Sequence, residues 1–167
     1  MRLIYRIAVS ILLALFPTVQ AGPATSEHDY LLALYEYLHA NPELSFQEQA
    51  TSARIARELG DIGFRVTTGI GGFGVVALLE NGAGPTLMLR ADMDALPICE
   101  VRGRPYGSKI DGKMHACGHD VHVAGLLGTA RLLAEEHAAG RLPGRVRFLF
   151  QPAEESADAR GRSGAMR

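Results

Sequence analysis

The sequence has few cysteines, no block of basic residues and no apolar run long enough to cross a membrane. Two cysteines among 167 residues are too few for a disulfide framework. The formal net charge is −1 and the basic residues are scattered, so nothing favours nucleic acid or an anionic membrane as a partner. With 47% hydrophobic and 21% charged residues, the composition is that of an ordinary globular protein.

The first 21 residues have the three-part layout of a secretory signal peptide. Two arginines precede the apolar run 7-IAVSILLALF-16, and the small residues Val19 and Ala21 follow at the positions that signal peptidase reads. The run is shorter than the ~20 apolar residues of a membrane-spanning helix. We predict that residues 1–21 are removed on export to the periplasm or the exterior, leaving residues 22–167. An uncleaved N-terminal anchor is the alternative.

Apolar periodicity predicts three helices and four strands. The helices are expected from the N-cap Ser26 to the stop at Asn41-Pro42, over 47–63 and over about 121–140, and the strands at 64–70, 74–80, 86–92 and 144–152. The turn 81-NGAGP-85 predicts that the second and third strands form a hairpin. Because helices interleave with strands, the expected class is an α/β sandwich.

Three polar clusters stand at the ends of apolar segments. The first lies in 90-RADMDALP-97, where Asp92 and Asp94 stand at the end of a predicted strand, after its apolar part Thr86–Leu89. Ligands of open α/β sheets bind beyond the carboxyl ends of strands, so both aspartates are candidates for a site. The alternative is that they cap a helix or form a turn.

The second cluster is 114-MHACGHDVH-122, which holds three histidines, a cysteine and an aspartate. Cysteine and histidine suit zinc, cobalt or nickel, and manganese where carboxylates are present. In an extended segment, positions i and i+2 point to the same side, so Cys117 and His119 would reach one centre. Gly118 leaves the backbone between them free to bend.

Other roles are open for the polar residues around this stretch. Asp120 and His122 are candidates for supporting the ligands from a second shell, whereas His115 has no assigned role. A catalytic thiol at Cys117, activated by a histidine, is the alternative to a metal site. A disulfide between Cys99 and Cys117 would remove the thiolate and, with it, metal binding.

The third cluster is 151-QPAEE-155, after an apolar strand. Adjacent carboxylates at a strand end can divide their work: one binds a cation and the other accepts a proton from water. Glu154 and Glu155 are therefore candidates for these two roles, and a solvated acidic turn is the alternative.

Four segments match the order and spacing of a known family. They are 38-LHANPELSFQE-48, 86-TLMLRADMDALP-97, 114-MHACGHDVH-122 and 148-FLFQPAEE-155. From about residue 28 onward, the chain resembles the amidohydrolase branch of the dinuclear metallopeptidases, which includes hippurate hydrolases, N-acyl-amino-acid amidohydrolases and auxin-conjugate hydrolases. The resemblance implies the N-terminal half of a zinc-peptidase-like catalytic domain, a partial three-layer α/β sandwich.

The resemblance also implies a role for each candidate residue. The positions corresponding to metal ligands are Cys117, His119 and Glu155, with the thiolate lying between two metals. Glu154 corresponds to the general base, and Asp94 to the aspartate that orients a ligand and the base. Asp92 falls where related peptidases carry a metal-binding histidine, and we expect it, like Asp120 and His122, to support the ligands from a second shell.

The activity implied by the resemblance is hydrolysis of small N-acyl amino acids by metal-activated water. The full-length site would hold two divalent ions, of manganese, zinc, nickel or cobalt. Full-length relatives are expected to be homo-oligomers.

The chain departs from the family pattern after its acidic pair. Family members are more than twice as long and carry further histidine ligands there, whereas no histidine follows His137 in this sequence. Their lid or dimerisation domain also lies in that later part. We therefore expect residues 22–167 to hold about half of the metal site, with weak or no turnover. The alternative is a non-catalytic, metal-binding remnant.

Overall fold

The computed structural model describes residues 24–157 together with 161 and 164. The helices are α1 (Ala24–Ala40), α2 (Gln49–Asp61) and α3 (His119–Ala138), and the strands are β1 (Arg65–Ile70), β2 (Gly74–Asn81), β3 (Thr86–Asp92) and β4 (Gly144–Gln151). The predicted signal peptide lies outside the described residues. Among the helices that are described, none combines the length and apolarity needed to cross a bilayer.

The four strands form one sheet in the order β1-β2-β4-β3. β1 and β2 are antiparallel neighbours, β2 and β4 are antiparallel, and β3 and β4 are parallel. The predicted hairpin of the second and third strands is therefore wrong, since β4 lies between them. The chain leaves β3, passes through α3 and returns as β4. This apolar strand is hydrogen-bonded to β2 on one side and to β3 on the other.

The core lies between the sheet and the helices. In β4, Val146, Phe148 and Phe150 are buried, whereas Arg145 and Arg147, at the alternate positions, are exposed. This alternation puts one face of the strand against the helices and the other toward solvent. Leu34 and Leu38 of α1, Ile55 and Leu59 of α2, and Val123 and Leu127 of α3 belong to the same buried cluster. The predicted α/β class is thus confirmed.

The parallel pair of strands determines where the polar clusters meet. Asp92 of β3 pairs with Gln151 of β4, so both strands end at the same edge of the sheet. Asp94 comes shortly after β3, and Glu154 comes shortly after β4. An isolated parallel bridge between Leu44 and Ala95 brings the loop after α1 to this edge as well.

Two helix starts differ from the prediction. α1 begins at Ala24, so Ser26 lies inside the helix and is not its N-cap. α3 begins at His119, two residues before the predicted start. The earlier start places His119 and Asp120 in the first turn of the helix, at the same edge of the sheet as the acidic pair.

Candidate metal centre

Three side chains from two parts of the chain converge at this edge. The Cys117 sulfur, one imidazole nitrogen of His119 and a carboxylate oxygen of Glu155 all lie within 4.8 Å of one another. The loop before α3 supplies the first, the start of α3 the second, and the turn after β4 the third. Since α3 packs against β3, the register of β3 and β4 sets the spacing of the cluster.

His119 is held by one ring nitrogen and presents the other to the acids. Its Nδ1 lies 2.9 Å from the main-chain oxygen of Asp94 and 3.2 Å from Oδ1 of the same residue. Its Nε2 lies 3.8 Å from Glu155 Oε1 and 3.9 Å from Glu154 Oε2. Burial lowers the pKa of this histidine, but the interactions with Asp94 outweigh burial and raise it.

Asp94 is a buried anchor for several parts of the site. The Ser45 hydroxyl donates to Asp94 Oδ2 at 2.6 Å, and the main-chain N–H of Glu155 donates to the same oxygen at 3.0 Å. Burial raises the pKa of Asp94, but interactions with His119, Ser45 and the backbone of the acidic pair hold it at about 2. The carboxylate is therefore ionised, and it ties His119 to the turn that carries Glu155.

Cys117 and His119 reach one centre by a different route from the predicted extended segment. Gly118 is left-handed, with φ 85° and ψ 18°, and it is the residue preceding helix α3. This turn, and not i, i+2 alternation, brings the two side chains together. Hydrogen bonding to the Glu155 carboxylate, with a smaller effect of burial, raises the pKa of the Cys117 thiol to about 11.

A second group of potential ligands shares His119. Asp92, His119 and His122 offer ligand atoms that also lie within 4.8 Å of one another. The rings of His119 and His122 are stacked with centroids 5.8 Å apart. Asp92 is buried and forms an ion pair with Arg90. The structure therefore brings Asp92 and His122 near His119, as it does the predicted ligands.

The donor set fits a divalent transition metal. A thiol, an imidazole and a carboxylate are the ligands that zinc and its neighbours bind in proteins. Oε1 of Glu155 is buried and lacks a hydrogen-bond partner among the described residues, as expected of an oxygen kept for a cation. His119 also has the usual arrangement of a ligand, with Nδ1 engaged by a carbonyl and Nε2 facing the site.

Comparison with known proteins agrees with this geometry. Residues 88–167 match the sequence model of Peptidase family M20/M25/M40. This part of the chain belongs to that family. The matched range includes every candidate ligand and both acids, and the resemblance inferred from the four segments is confirmed.

Individual curated proteins match a longer part of the chain. The Bacillus subtilis N-acetylcysteine deacetylase is 44% identical over 136 residues, covering 78% of this chain and 34% of the relative. The Arabidopsis thaliana IAA-amino acid hydrolase ILR1-like 5 is 44% identical over 127 residues, covering 76% of this chain and 29% of the relative. The chain thus spans about a third of the length of these relatives.

A solved structure shows the same fold. The Bacillus subtilis YXEP protein, described as a dinuclear metal binding peptidase from the M20 family, superposes with a TM-score of 0.74 at 45% identity. The match covers 79% of this chain and 37% of that protein. The described helices and sheet are therefore those of an M20 peptidase domain.

Asp120 serves a neighbouring histidine and not the cluster itself. Its Oδ2 lies 2.6 Å from Nδ1 of His39, and Nε2 of that histidine lies 3.2 Å from Oε1 of Glu100. His39 and Asp120 are both buried. The pair joins α1 to the start of α3, so Asp120 holds the first turn of the helix that carries His119.

Several residues near the site had no role in the sequence-based prediction. His115 is buried, neither of its ring nitrogens has a hydrogen-bond partner among the described residues, and burial lowers its pKa to about 4. Ser45 donates a hydrogen bond to Asp94, and Glu48 accepts one from the main chain of Ala153. Both residues lie in the 38–48 segment that carried the resemblance, but neither was predicted to have a role. The many polar residues of that segment were the sequence feature that could have indicated a supporting role. Cys99 and Cys117 are both free thiols.

Proposed function

We propose that this site belongs to a metal-dependent hydrolase of N-acyl amino acids. The observation that carries the proposal is the convergence of Cys117, His119 and Glu155, three different ligand types within 4.8 Å of one another. The names of two relatives specify N-acetylcysteine and IAA-amino acid as substrates, and the first of these is an N-acyl amino acid. Manganese, zinc, nickel and cobalt are the candidate metals.

The acidic pair provides two different chemical roles. Glu155 is half-buried and hydrogen-bonds through its own N–H to Asp94, which suits a fixed ligand. Glu154 is 41% exposed and lies beside His119 Nε2, so it can accept a proton from an attacking water and return it to the leaving amine. A bound divalent cation supplies the positive charge that polarises the amide carbonyl and acidifies water.

The thiol-enzyme alternative has less support from the geometry. A thiol nucleophile needs a lowered pKa or an adjacent base that takes its proton. In contrast, the neighbouring Glu155 raises the pKa of Cys117 to about 11, and His119 is engaged by Asp94. A cation would displace the thiol proton, whereas the metal-free site keeps it.

The first experiment measures metal binding. Zn²⁺ is titrated calorimetrically into the full chain, into Cys117→Ser and into the matched control Cys99→Ser. We expect loss of about tenfold or more in affinity for the first variant, since hydroxyl is a poor substitute for thiolate. The control removes an exposed thiol outside the cluster, and its affinity should equal that of the wild type. Equal binding by all three proteins would exclude Cys117 as a ligand.

The second experiment measures hydrolysis. The full chain is loaded with Zn²⁺ or Mn²⁺ and assayed for cleavage of N-benzoylglycine, alongside Glu154→Gln. We expect any turnover to fall by about a hundredfold in the variant, because the proton acceptor is lost. Turnover that survives this substitution unchanged contradicts the role proposed for Glu154. The expectation of weak turnover by this chain alone stays a prediction, and the same assay measures it.

A further inference from the structure

Glu48 is a buried glutamate outside the ligand cluster. Its exposed fraction is 0%, and it lies immediately before α2. Its Oε1 accepts a hydrogen bond from the main-chain N–H of Ala153 at 2.7 Å, across 105 residues of sequence. Ala153 directly precedes Glu154. A buried carboxylate therefore binds the peptide from which the acidic pair extends.

The turn at Ala153 needs such an anchor. Ala153 has φ 49°, in the left-handed region that residues with a side chain seldom adopt. Conformations of this kind persist only where the surrounding structure holds them. The carboxylate of Glu48 binds the N–H of this residue, and the N–H of Gly164 donates to its carbonyl at 3.1 Å. Hydrogen bonds therefore hold the peptide groups on both sides of the strained residue Ala153.

The segment that carries Glu48 is itself fixed to the sheet edge. The Glu43 carbonyl accepts the N–H of Ala95 at 2.8 Å, and Ser45 donates to Asp94 at 2.6 Å. The Glu43 carboxylate also accepts the N–H groups of Ala50 and Thr51 at the start of α2. Glu48 thus extends from an anchored segment toward the turn after β4, and its position is well determined.

We propose that Glu48 is a positioning residue, whose carboxylate holds the Ala153 peptide so that Glu154 and Glu155 face His119. Among the described residues, no hydrogen bond joins the Glu48 side chain to Cys117, His119 or Glu155; its carboxylate binds main-chain groups. The proposal rests on the proposed function for the roles of the acidic pair, since positioning matters only if those carboxylates bind a cation or move a proton.

The experiment compares two substitutions of Glu48 in the full chain. Glu48→Gln keeps an oxygen acceptor at the same place, and because burial already raises the pKa of Glu48, a neutral acceptor is a fair substitute. Glu48→Met keeps the length and removes the acceptor. Zn²⁺ affinity is measured by calorimetry, and the hydrogen-exchange protection of the Ala153 amide is measured by NMR.

We expect Glu48→Met to lose about tenfold in Zn²⁺ affinity and to lose protection at Ala153, as for other residues that orient metal ligands. Glu48→Gln should stay within about threefold of the wild type and keep the protection. The matched control is Glu58→Met in helix α2, whose carboxylate accepts hydrogen bonds from Tyr30 and Arg54 and, among the described residues, none from Ala153 or the acidic pair. It should lower stability without changing Zn²⁺ affinity.

Wild-type affinity and protection in folded Glu48→Met would overturn the proposal. If that variant does not fold, Glu48→Asp decides, because it withdraws the carboxylate by one methylene; unchanged affinity and protection there also overturn it. If the wild type binds no Zn²⁺, or binds it equally after Cys117→Ser and Glu155→Gln, the proposed function fails. Ala153 protection alone then tests the contact: loss in Glu48→Met with retention in Glu48→Gln supports it, and equal protection contradicts it.

Discussion

His119 and Asp94 are joined twice: Nδ1 of the histidine lies 2.9 Å from the main-chain oxygen of the aspartate and 3.2 Å from its Oδ1. This relationship leaves Nε2 as the only ring nitrogen directed at Glu154 and Glu155. The first turn of α3 is thus joined to the segment after β3 through one buried residue, Asp94. The orientation of the candidate ligand is therefore set by a residue that the ligand cluster does not include.

Removing the hydroxyl that supports this carboxylate should destabilise the protein. Ser45→Ala deletes the donor that lies 2.6 Å from Asp94 Oδ2, and we expect the free energy of unfolding to fall by about 2 kcal/mol, as for a hydrogen bond to a charged group. Urea denaturation measures the change. The control is Ser108→Ala, whose hydroxyl makes only exposed local contacts and should cost less than about 0.5 kcal/mol. Equal losses in the two variants would contradict the anchoring role of Asp94.

Two glycines of similar surroundings should respond to alanine with opposite signs. Gly118 and Gly125 both have open space where a Cβ would lie, but only Gly118 has a positive φ, of 85°. Gly118→Ala should cost about 1–2 kcal/mol, because a left-handed backbone is unfavourable for alanine. Gly125→Ala lies inside α3 and should stabilise by about 0.5–1 kcal/mol. Thermal melts measure both, and shifts of the same sign would be inconsistent with the left-handed turn before α3.

Truncating Phe148, which forms an aromatic contact in the core, should destabilise the protein. Phe148 of β4 is fully buried, and its ring lies edge-to-face on Phe64 with centroids 5.3 Å apart. Phe148→Ala should lower the free energy of unfolding by about 3–5 kcal/mol, since it removes buried area and leaves a cavity. Leu132→Ala on α3 is the control, because that side chain is 58% exposed and should change stability by less than about 0.5 kcal/mol. Denaturant midpoints compare the two, and similar midpoints would contradict the burial of β4.

The contact between Tyr30 and Glu58 predicts a dependence of stability on pH. Burial raises the pKa of Glu58, but hydrogen bonds from Tyr30 and Arg54 outweigh burial and lower it below its ordinary value of 4.5. A lowered folded pKa contributes stability that is fully present above 4.5 and is lost as the pH falls through the lowered value. Tyr30→Phe, which removes a donor at 2.7 Å, should therefore cost about 1 kcal/mol at pH 7 and less at pH values near 3.

Melting temperatures at several pH values check this prediction. Tyr37→Phe is the matched control, because Tyr37 is exposed and its ring, which the variant keeps, contacts Arg54. Its melting temperature should follow that of the wild type at every pH. A Tyr30→Phe deficit that stays constant between pH 7 and 3 would show that Glu58 ionisation is not coupled to this hydrogen bond.

Much of the local structure could be predicted from the sequence. The predicted ends of strands β2 and β3 agree with the observed ones to within one residue, because glycines and a proline bound these segments. Strand pairing could not be predicted in the same way, since the hairpin signal between β2 and β3 says nothing about a strand that arrives 58 residues after Thr86, at Gly144. The supporting glutamate Glu48 was also missed, because its partner lies 105 residues away.

By itself, the sequence determined which residue types are available for chemistry and that they stand at the ends of apolar segments. Cys117, His119, Glu154 and Glu155 were predicted as candidates in this way, because thiol, imidazole and carboxylate groups suit a divalent cation. Only the tertiary structure decided that Asp120 pairs with His39, 81 residues away, and that the left-handed Gly118 turns Cys117 toward His119. The physical reason is that spacing along the chain constrains neighbours within a few residues, whereas side-chain partners across a sheet edge depend on which strands pair.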